Sequence, residues 1–318
     1  KSHLVRDLKR ALREHRGADA MLPRCYTALV LGAVAACACG RTDDAQTVLV
    51  TGATGGTGKL VYNMLADPAT CPPGWRVTAL VRNLTKAKEV LKCGECTEQD
   101  GVFVGDVTKP ETLPAAMKGA TILVVATSSM PKCPDGPSSC YFPKGGQPID
   151  VDYHGGLAQL KAFAAATSGK GHAILISSRG TTEVDGPFGK VWSASDGGHV
   201  FFYKLNLEAW LMSSGLASTV IKPCGLDNSD AGKLKLLVGH DDEPLGERNV
   251  MSRGDVARFI IAAAAQRSTA DGQRIDICAV DGQPQSDKEL PALLQSARWP
   301  WEATPESDSS LRPLNIVL

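Results

Sequence analysis

The chain has 318 residues, enough for one large domain or two modest ones, and we favour one. Lysine plus arginine and aspartate plus glutamate number 34 each, so the charge balance predicts no basic surface for nucleic acid. Hydrophobic residues make up 43% of the chain and charged residues 21%, which indicates an ordinary globular protein rather than a disordered or membrane-embedded one.

The first 42 residues are interpreted as a targeting segment. The stretch "MLPRCYTALVLGAVAACACG" has a basic residue, an apolar run and Ala-x-Ala steps, the pattern of a secretory signal, with Met21 as the expected start. A bilayer-spanning helix needs about 20 apolar residues, so we predict no integral membrane span in the mature chain. A buried N-terminal helix is the alternative interpretation.

Seven of the ten cysteines follow the leader, which is an odd number for a disulfide framework. Cys93 and Cys96 form a lone C-x-x-C without a second pair at zinc-ligand spacing, so no metal site is predicted. Cys133 and Cys140 bracket a short loop that suits a disulfide in an oxidising compartment. Unpaired thiols are the open alternative for both pairs.

From Thr47 onward, apolar runs and helix-like patterns alternate. The predicted strands are TVLV, WRVTALVR, GVFVGDV, TILVVAT, HAILISS and STVIKP. The predicted helices are GKLVYNMLA, NLTKAKEVLK, ETLPAAMKGA, VDYHGGLAQLKAFAAAT and FYKLNLEAWLMSSG. The strands are continuously apolar, as in a sheet that helices cover on both faces. The sequence therefore predicts an α/β fold with a doubly wound parallel sheet, the Rossmann type, and a small C-terminal substrate-side lobe.

This domain is expected over residues 43–298, with an irregular tail over residues 299–318. Residues 128–150 and 180–200 are long Pro/Gly/Ser-rich loops that follow strand ends. Open α/β sheets bind ligands at that edge. Both loops, together with the lobe at about residues 224–250, are therefore predicted to form a substrate wall.

A glycine-rich loop joins the first strand to the first helix in "TVLVTGATGGTG". Gly52 permits the tight turn, Gly55 lets a diphosphate approach the backbone, and Gly58 lets the helix pack on the strand. Free N–H groups at the helix start attract phosphate. The predicted cofactor contacts in the loop are Gly52, Thr54, Gly55, Gly56, Thr57 and Gly58. The alternative is a flexible turn, but this context favours dinucleotide binding.

The end of the second strand indicates which dinucleotide is bound. NAD-selective sites have an acidic residue there, whereas this strand ends in Arg82, which suits a 2′-phosphate. Lys86 and Lys88 add positive charge nearby. We therefore predict NADP(H) as cofactor, with a solvated surface role for Arg82 as the alternative.

Several motifs carry a family resemblance. They are VLVTGATGGTG, ALVRN, GDVT, ILVVAT, VDYHGGLAQL, ILISS and IKPCGL. In this order and spacing the chain resembles the NmrA-like atypical short-chain dehydrogenases/reductases, from about Thr47 to Arg298. The segments KLLVGHDDEPL and VMSRGDVARFIIAAA resemble plant and algal chloroplast-type members, which implies a plastid location.

The resemblance also implies further cofactor contacts. They are Asp106 and Val107 at the adenine, Ala126 and Thr127 under the nicotinamide-side ribose, and Pro223, Cys224 and Gly225 at the carboxamide. A turn-forming or helix-capping role is the alternative for Asp106. Cys224 is expected to be a small wall residue, since no basic neighbour in the sequence would activate its thiol.

Common members of that enzyme class use a serine, a tyrosine and a lysine four residues after the tyrosine. Ser178 matches the serine and Lys204 the lysine, which would also bind the ribose, but Val200 occupies the tyrosine position. Another group must then donate the proton if the protein is a reductase. The open candidates are Ser178, Tyr141, Tyr153, His154 and Tyr203.

Two functions are consistent with these motifs. The first is an NADP(H)-dependent oxidoreductase that acts on a small carbonyl or quinone compound, with Ser178 and Lys204 in the active site. The second is a non-catalytic NADP(H)-binding redox sensor or accessory subunit of a larger assembly, which the missing tyrosine favours. A protein partner is expected only in the second case.

Overall fold

The structure, a computed structural model, describes residues 45–135, 139–183 and 199–298. The predicted leader and tail lie outside these ranges, as does most of the second predicted loop. Among the helices of the described ranges, none has the length and apolar character needed to cross a bilayer.

Eight of the strands form one sheet, in the order β3-β2-β1-β4-β5-β6-β10-β8. Their bounds are β1 Gln46–Thr51, β2 Trp75–Val81, β3 Val102–Val104, β4 Ile122–Val125, β5 His172–Ile176, β6 Ala217–Pro223, β8 Lys235–Gly239 and β10 Gln273–Val280. All neighbours pair in parallel except β8, which is antiparallel to β10. Two short strands, β7 Gly225–Asp227 and β9 Val250–Ser252, pair separately. The doubly wound sheet is confirmed, with an antiparallel edge that the sequence did not predict.

The helices lie on both faces of this sheet. They are α1 Gly58–Ala66, α2 Leu84–Val90, α3 Pro114–Met117, α4 Gly156–Thr167, α5 Val200–Ser213, α6 Arg253–Ala265, α7 Arg267–Ala270 and α8 Leu290–Ser296. A 3₁₀ turn, Pro110–Thr112, precedes α3, and a π-helix, Ile149–Gly155, runs directly into α4.

Strand β1 illustrates why the apolar runs are continuous. Val48 and Val50 belong to one core with Phe259 of α6, whereas Leu49 belongs to the other core with Phe163 of α4. Successive side chains of a strand point to opposite faces. A strand buried on both faces therefore favours apolar residues at successive positions.

Three predicted elements differ from the structure. The expected helix ETLPAAMKGA is a 3₁₀ turn followed by one helical turn, because Pro110 and Pro114 each occupy a first helical position. The helix expected from Val151 begins as a π-helix. The lobe at about residues 224–250 is only partly separate, since β8 extends the main sheet.

The described residues contain three disulfides. Cys93 is bonded to Cys96 and Cys133 to Cys140, which resolves the alternative left open for both pairs. The third joins Cys224 at the end of β6 to Cys278 on β10. Cys224, which was expected to be a small wall residue, is thus bonded to another cysteine, and its partner lies on a strand that the sequence did not predict.

Candidate functional site

The glycine loop lies between β1 and α1, beside the end of β4, where the strand order reverses. Gly52 has φ +66°, and a Cβ there would lie 2.6 Å from the Ala126 carbonyl oxygen. A Cβ at Gly58 would collide with the Gly52 carbonyl. Both positions therefore require glycine, Gly52 for its conformation and both for close backbone approach.

The start of α1 leaves several donors available. The loop is closed by the Gly55 N–H, which donates to the Gly52 carbonyl at 2.8 Å. Within the described residues, no hydrogen bond is made by the N–H groups of Gly56, Thr57 or Gly58, and Thr57 gives no side-chain cap. Unsatisfied N–H groups at a helix start favour an anion.

Arg82 directly follows β2, the strand that pairs with β1, and Lys86 lies on α2; both residues are exposed. Neither forms an ion pair with any described carboxylate, whereas Lys88 pairs with Glu95 at 3.1 Å. Asn83 caps α2 by accepting from the Lys86 N–H at 2.9 Å. Lys88 is thus partly neutralised, whereas Arg82 and Lys86 form no ion pair within the described residues.

Asp106 follows β3 and forms a turn. Its Oδ1 accepts from the Thr108 N–H at 3.0 Å and from the Thr108 hydroxyl at 2.8 Å. Partial burial alone would raise the pKa of Asp106, but these hydrogen bonds and the charge of Arg82 hold it below its ordinary value. The turn-forming role is therefore present, and Asp106 lies within electrostatic reach of Arg82.

An open cavity of about 590 Å³ adjoins the other predicted adenine contact, Val107. Its lining residues are Val107, Thr108, Pro110, Lys144, Gly145, Gln147, Asp150 and His154. The cavity therefore connects the end of the first predicted loop to the turn after β3.

Lys204 on α5 is nearly buried and forms an ion pair with Asp152 of the π-helix. Their Nζ and Oδ1 atoms lie 2.8 Å apart, with side chains 12% and 1% exposed. Asp152 also accepts from the Ser128 hydroxyl at 2.8 Å and the Ser129 N–H at 3.0 Å. Sequence reasoning did not select Asp152, and the only local signal was an acidic residue directly before Tyr153.

The two serines after β5 have different surroundings. Ser177 is buried and donates to Glu208 of α5, which also accepts from Arg274 Nε at 2.7 Å. Ser178 is only partly buried, and its hydroxyl donates to the Arg179 carbonyl at 2.9 Å. The hydroxyl of Ser178 is thus held by a local bond alone, while that of Ser177 belongs to the packed interior.

The predicted tyrosine position is apolar and buried. Val200 is 7% exposed and packs with Phe142 and Phe201. The rings of Tyr153 and Tyr203 lie 6.3 Å apart, and Tyr203 is adjacent to Lys204 in the sequence. Either tyrosine lies on an element that contributes to the Lys204–Asp152 pair.

Three buried charges, Lys222, Asp242 and Asp276, form what we call the anchor cluster. Lys222 Nζ lies 2.7 Å from Asp242 Oδ1 and 3.1 Å from Asp276 Oδ1. Asp242 also accepts from the N–H groups of Gly180 and Thr182, each at 2.7 Å. The anchor cluster therefore fixes the chain directly after Ser178.

The anchor cluster perturbs the acids in opposite directions. Burial raises the pKa of Asp276 despite the charge of Lys222. Burial also acts to raise the pKa of Asp242, but the hydrogen bonds from Lys222 and Gly180 lower it below its ordinary value. Asp242 is thus the charged partner on which Lys222 depends.

The remaining predicted contacts follow two parallel strands. Ala126 and Thr127 follow β4, where Thr127 Oγ1 accepts from Gln159 Nε2 at 3.1 Å. Pro223 ends β6, followed by Cys224, and Gly225 begins β7. Carboxyl ends of parallel strands share one edge, so both groups lie at the same edge as the glycine loop. Within the described residues, no three His, Cys, Asp or Glu side chains gather as a metal site.

This sheet order, with a glycine loop at the reversal point, defines a Rossmann-type nucleotide-binding protein. A family model described as NAD(P)H-binding matches residues 52–267. The chain belongs to this NAD(P)H-binding family, among the NmrA-like atypical short-chain dehydrogenases/reductases.

Curated relatives agree with this family. The chloroplastic protein At2g37660 of Arabidopsis thaliana is 33% identical over 70% of this chain and 66% of its own length. Sanguinarine reductase of Eschscholzia californica is 30% identical over 68% of this chain and 83% of its own length. Protein TIC 62, chloroplastic, of Oryza sativa subsp. japonica is 26% identical over 72% of this chain and 45% of its own length.

Solved structures share the fold. A Bacillus halodurans protein named for the NAD-dependent epimerase/dehydratase class has a TM-score of 0.59 at 21% identity, covering 79% of this chain and 99% of its own. The oxidoreductase ylbE of Lactococcus lactis has a TM-score of 0.55 at 17% identity, covering 79% and 96%. At these identities the match extends to the fold alone.

Proposed function

We propose that the protein is an NADP(H)-dependent oxidoreductase that acts on a small carbonyl or quinone compound. The observation that carries this proposal is the juxtaposition, at one edge of the sheet, of the glycine loop with Ser178 and the Lys204–Asp152 pair. Sanguinarine reductase, a relative at 30% identity, is named as a reductase, which supports the same reaction class.

The glycine loop fits a dinucleotide. The free N–H groups of Gly56, Thr57 and Gly58 suit a diphosphate, and the close backbone approach of Gly52 to Ala126 holds the loop at the end of β4. Asp106 and Val107 would contact the adenine, and Ala126 and Thr127 the nicotinamide-side ribose. Pro223, Cys224 and Gly225 would contact the carboxamide.

The preference for NADP(H) over NAD(H) follows from Arg82 and Lys86. Both cations are exposed and have no ion-pair partner among the described carboxylates. A guanidinium binds a phosphate through two parallel hydrogen bonds, a geometry that an ammonium does not offer. Arg82 would therefore hold the 2′-phosphate, and Lys86 would add to the local potential.

The nicotinamide ring, when bound, supplies or accepts the hydride, and the chain orients the reacting groups. Lys204 would donate to the ribose hydroxyls while Asp152 holds its ammonium in place. The Ser178 hydroxyl would turn from the Arg179 carbonyl to donate to the substrate oxygen. With Val200 in the tyrosine position, the proton must come from another group, and we favour Tyr153 and Tyr203, the sequence neighbours of Asp152 and Lys204.

A second candidate is a non-catalytic NADP(H)-binding sensor or accessory subunit with a protein partner. The buried, apolar environment of Val200 favours it, because the usual proton donor is replaced by packing against Phe142 and Phe201. Two relatives carry "chloroplastic" in their names, so we propose a plastid location in either case. We also propose that the N-terminal segment is a signal for entry into the secretory route.

One experiment separates the two functions. Full-length protein is titrated with NADPH, then incubated with a panel of quinones and aldehydes while the nicotinamide absorbance is followed. NADPH oxidation that Ser178→Ala and Lys204→Ala each reduce by about a hundredfold or more supports the enzyme. Tight NADPH binding without oxidation by any panel member contradicts it and supports the second candidate. Absence of binding by either nicotinamide nucleotide contradicts both.

A further inference from the structure

Arg253 lies against the glycine loop, although nearly 200 residues separate them in the sequence. A Cβ built on Gly56 would lie 2.8 Å from Arg253 Nε and 2.9 Å from its Cδ, with Cζ at 3.6 Å. These are the nearest atoms to that position. Gly56 therefore leaves space that the side chain of Arg253 occupies.

The position of Arg253 is fixed by its neighbours. It is the first residue of α6, whose N-cap Ser252 accepts from the Gly254 N–H at 3.1 Å and donates to the Ser229 carbonyl at 2.6 Å. Helix α6 also packs against α1, the helix that begins at the glycine loop. Buried elements thus hold Arg253 beside the loop.

Arg253 forms no ion pair within the described ranges, although Asp227, whose pKa is lowered mainly by hydrogen bonds from Ser229, lies within its electrostatic reach. Arg253 Nη1 donates to the amide oxygen of Asn228 at 3.0 Å. By contrast, Arg258 on the same helix pairs with Asp255 at 2.8 Å and with Asp287 at 2.6 Å. Arg253 is a positioned cation beside three N–H groups that have no acceptor.

We infer that Arg253 binds the diphosphate of the dinucleotide. This inference rests on the proposed function. A diphosphate carries two negative charges, of which the N–H groups and the partial charge at a helix start compensate only a part. A guanidinium supplies a full charge and two aligned donors. Gly56 serves this contact, because any side chain there would displace the guanidinium.

The contact differs from that of Arg82 in what it recognises. The diphosphate is common to NADP(H) and NAD(H), while the 2′-phosphate belongs to NADP(H) alone. Loss of Arg253 therefore weakens the binding of both nucleotides by the same factor. It leaves unchanged a ligand that has the 2′-phosphate but no diphosphate.

The test measures dissociation constants of NADP⁺, NAD⁺ and adenosine 2′-monophosphate for the full chain. Arg253→Gln is expected to weaken NADP⁺ and NAD⁺ equally, by about tenfold to a hundredfold, since a hydrogen bond to a charged group is lost. Adenosine 2′-monophosphate is expected to bind within about twofold of the unchanged protein. Arg248→Gln, an exposed arginine, is the matched control and should bind all three ligands normally.

Gly56→Ala provides an independent variant. On its own it should weaken both dinucleotides, whereas added to Arg253→Gln it should cost little more, because the atoms nearest to its Cβ belong to Arg253. Arg253→Lys, which keeps the charge without the planar fork, should lie between Arg253→Gln and the unchanged protein. If circular dichroism shows that Arg253→Gln is unfolded, the binding measurements are made with Arg253→Lys instead.

Three outcomes would overturn the inference. They are unaltered dinucleotide binding by folded Arg253→Gln and Arg253→Lys, a loss confined to NADP⁺, and an equal loss for adenosine 2′-monophosphate. If the unchanged protein binds neither NADP⁺ nor NAD⁺, the proposed function itself fails, which is a separate result.

Discussion

The anchor cluster and the surroundings of the glycine loop differ in how their charged side chains are paired. In the anchor cluster, Lys222 is fully buried and faces two carboxylates. By contrast, Arg82 and Arg253 form no ion pair within the described residues, and N–H groups of the glycine loop have no described acceptor. Buried charges that are paired hold the chain in position, whereas partly exposed cations without partners remain available to an anion.

The largest expected effect comes from breaking the anchor cluster. Lys222→Met leaves Asp242 and Asp276 buried without their cation and should lower the free energy of unfolding by about 3–5 kcal/mol. Urea denaturation measures this, with Lys235→Met, an exposed lysine on β8, as control. A loss below about 1 kcal/mol would mean that Lys222 does not stabilise the region.

The pH dependence of stability sharpens the comparison, because the anchor cluster and His172, the first residue of β5, should lose their contributions at different pH values. Burial lowers the pKa of His172 to about 4, so between pH 6.5 and 4 the unfolded chain binds a proton that the folded chain does not. Stability should fall as the pH falls through that interval, by about 3 kcal/mol in full.

The measurement is denaturant unfolding at several pH values in His172→Gln and in His154→Gln, an exposed histidine, as control. His172→Gln should lose less stability between pH 6.5 and 4. Asp242 has a lowered pKa, so its contribution is present at neutral pH and is lost at still lower pH. Equal acid sensitivity in both histidine variants would contradict the assignment to His172.

A smaller effect is expected at the Lys204–Asp152 ion pair. Asp152→Asn removes the charge that holds Lys204 and should lower kcat/KM of any NADPH-dependent reduction by about tenfold to a hundredfold through misplacement. Ser128→Ala removes one of the bonds to Asp152 and should cost less. If Asp152→Asn retains full activity, the ion pair does not position Lys204 for the reaction.

The smallest effect tests the glycine-loop side. Arg82→Ala should weaken NADP⁺ by about tenfold and leave NAD⁺ unchanged, so the ratio of the two affinities falls. Arg76→Ala, an exposed arginine on the same strand, is the control. Calorimetric titration of both nucleotides measures the ratio, and an unchanged ratio would exclude Arg82 as the 2′-phosphate ligand.

The sheet could be predicted from the sequence because β1, β2, β4 and β5 each contain an unbroken run of at least three apolar residues. Strand β10 could not, because Arg274 and Asp276 interrupt its apolar pattern. Those residues are tolerated because each has a partner of opposite charge, Glu208 or Lys222, on another element. Pairing between distant elements leaves no local signal.

The candidate site divides in the same way. Gly52 and Gly58 were recognised because their roles depend on backbone geometry within one loop. Asp152 and Arg253 were missed because their importance depends on contacts with α5 and with the glycine loop, both remote in the sequence. Residue type and spacing therefore identified the loop, and only the fold identified the charges around it.

The position of Asp152 depends on the number of residues in the π-helix Ile149–Gly155 as well as on their identity. This π-helix has wider turns than the α-helix into which it runs. Deleting one residue between Asp152 and α4 would rewind the segment and rotate the preceding residues by about 100°. The carboxylate would then leave Lys204 without any side chain having been replaced, so a homologue shortened by one residue there must hold its lysine by other means.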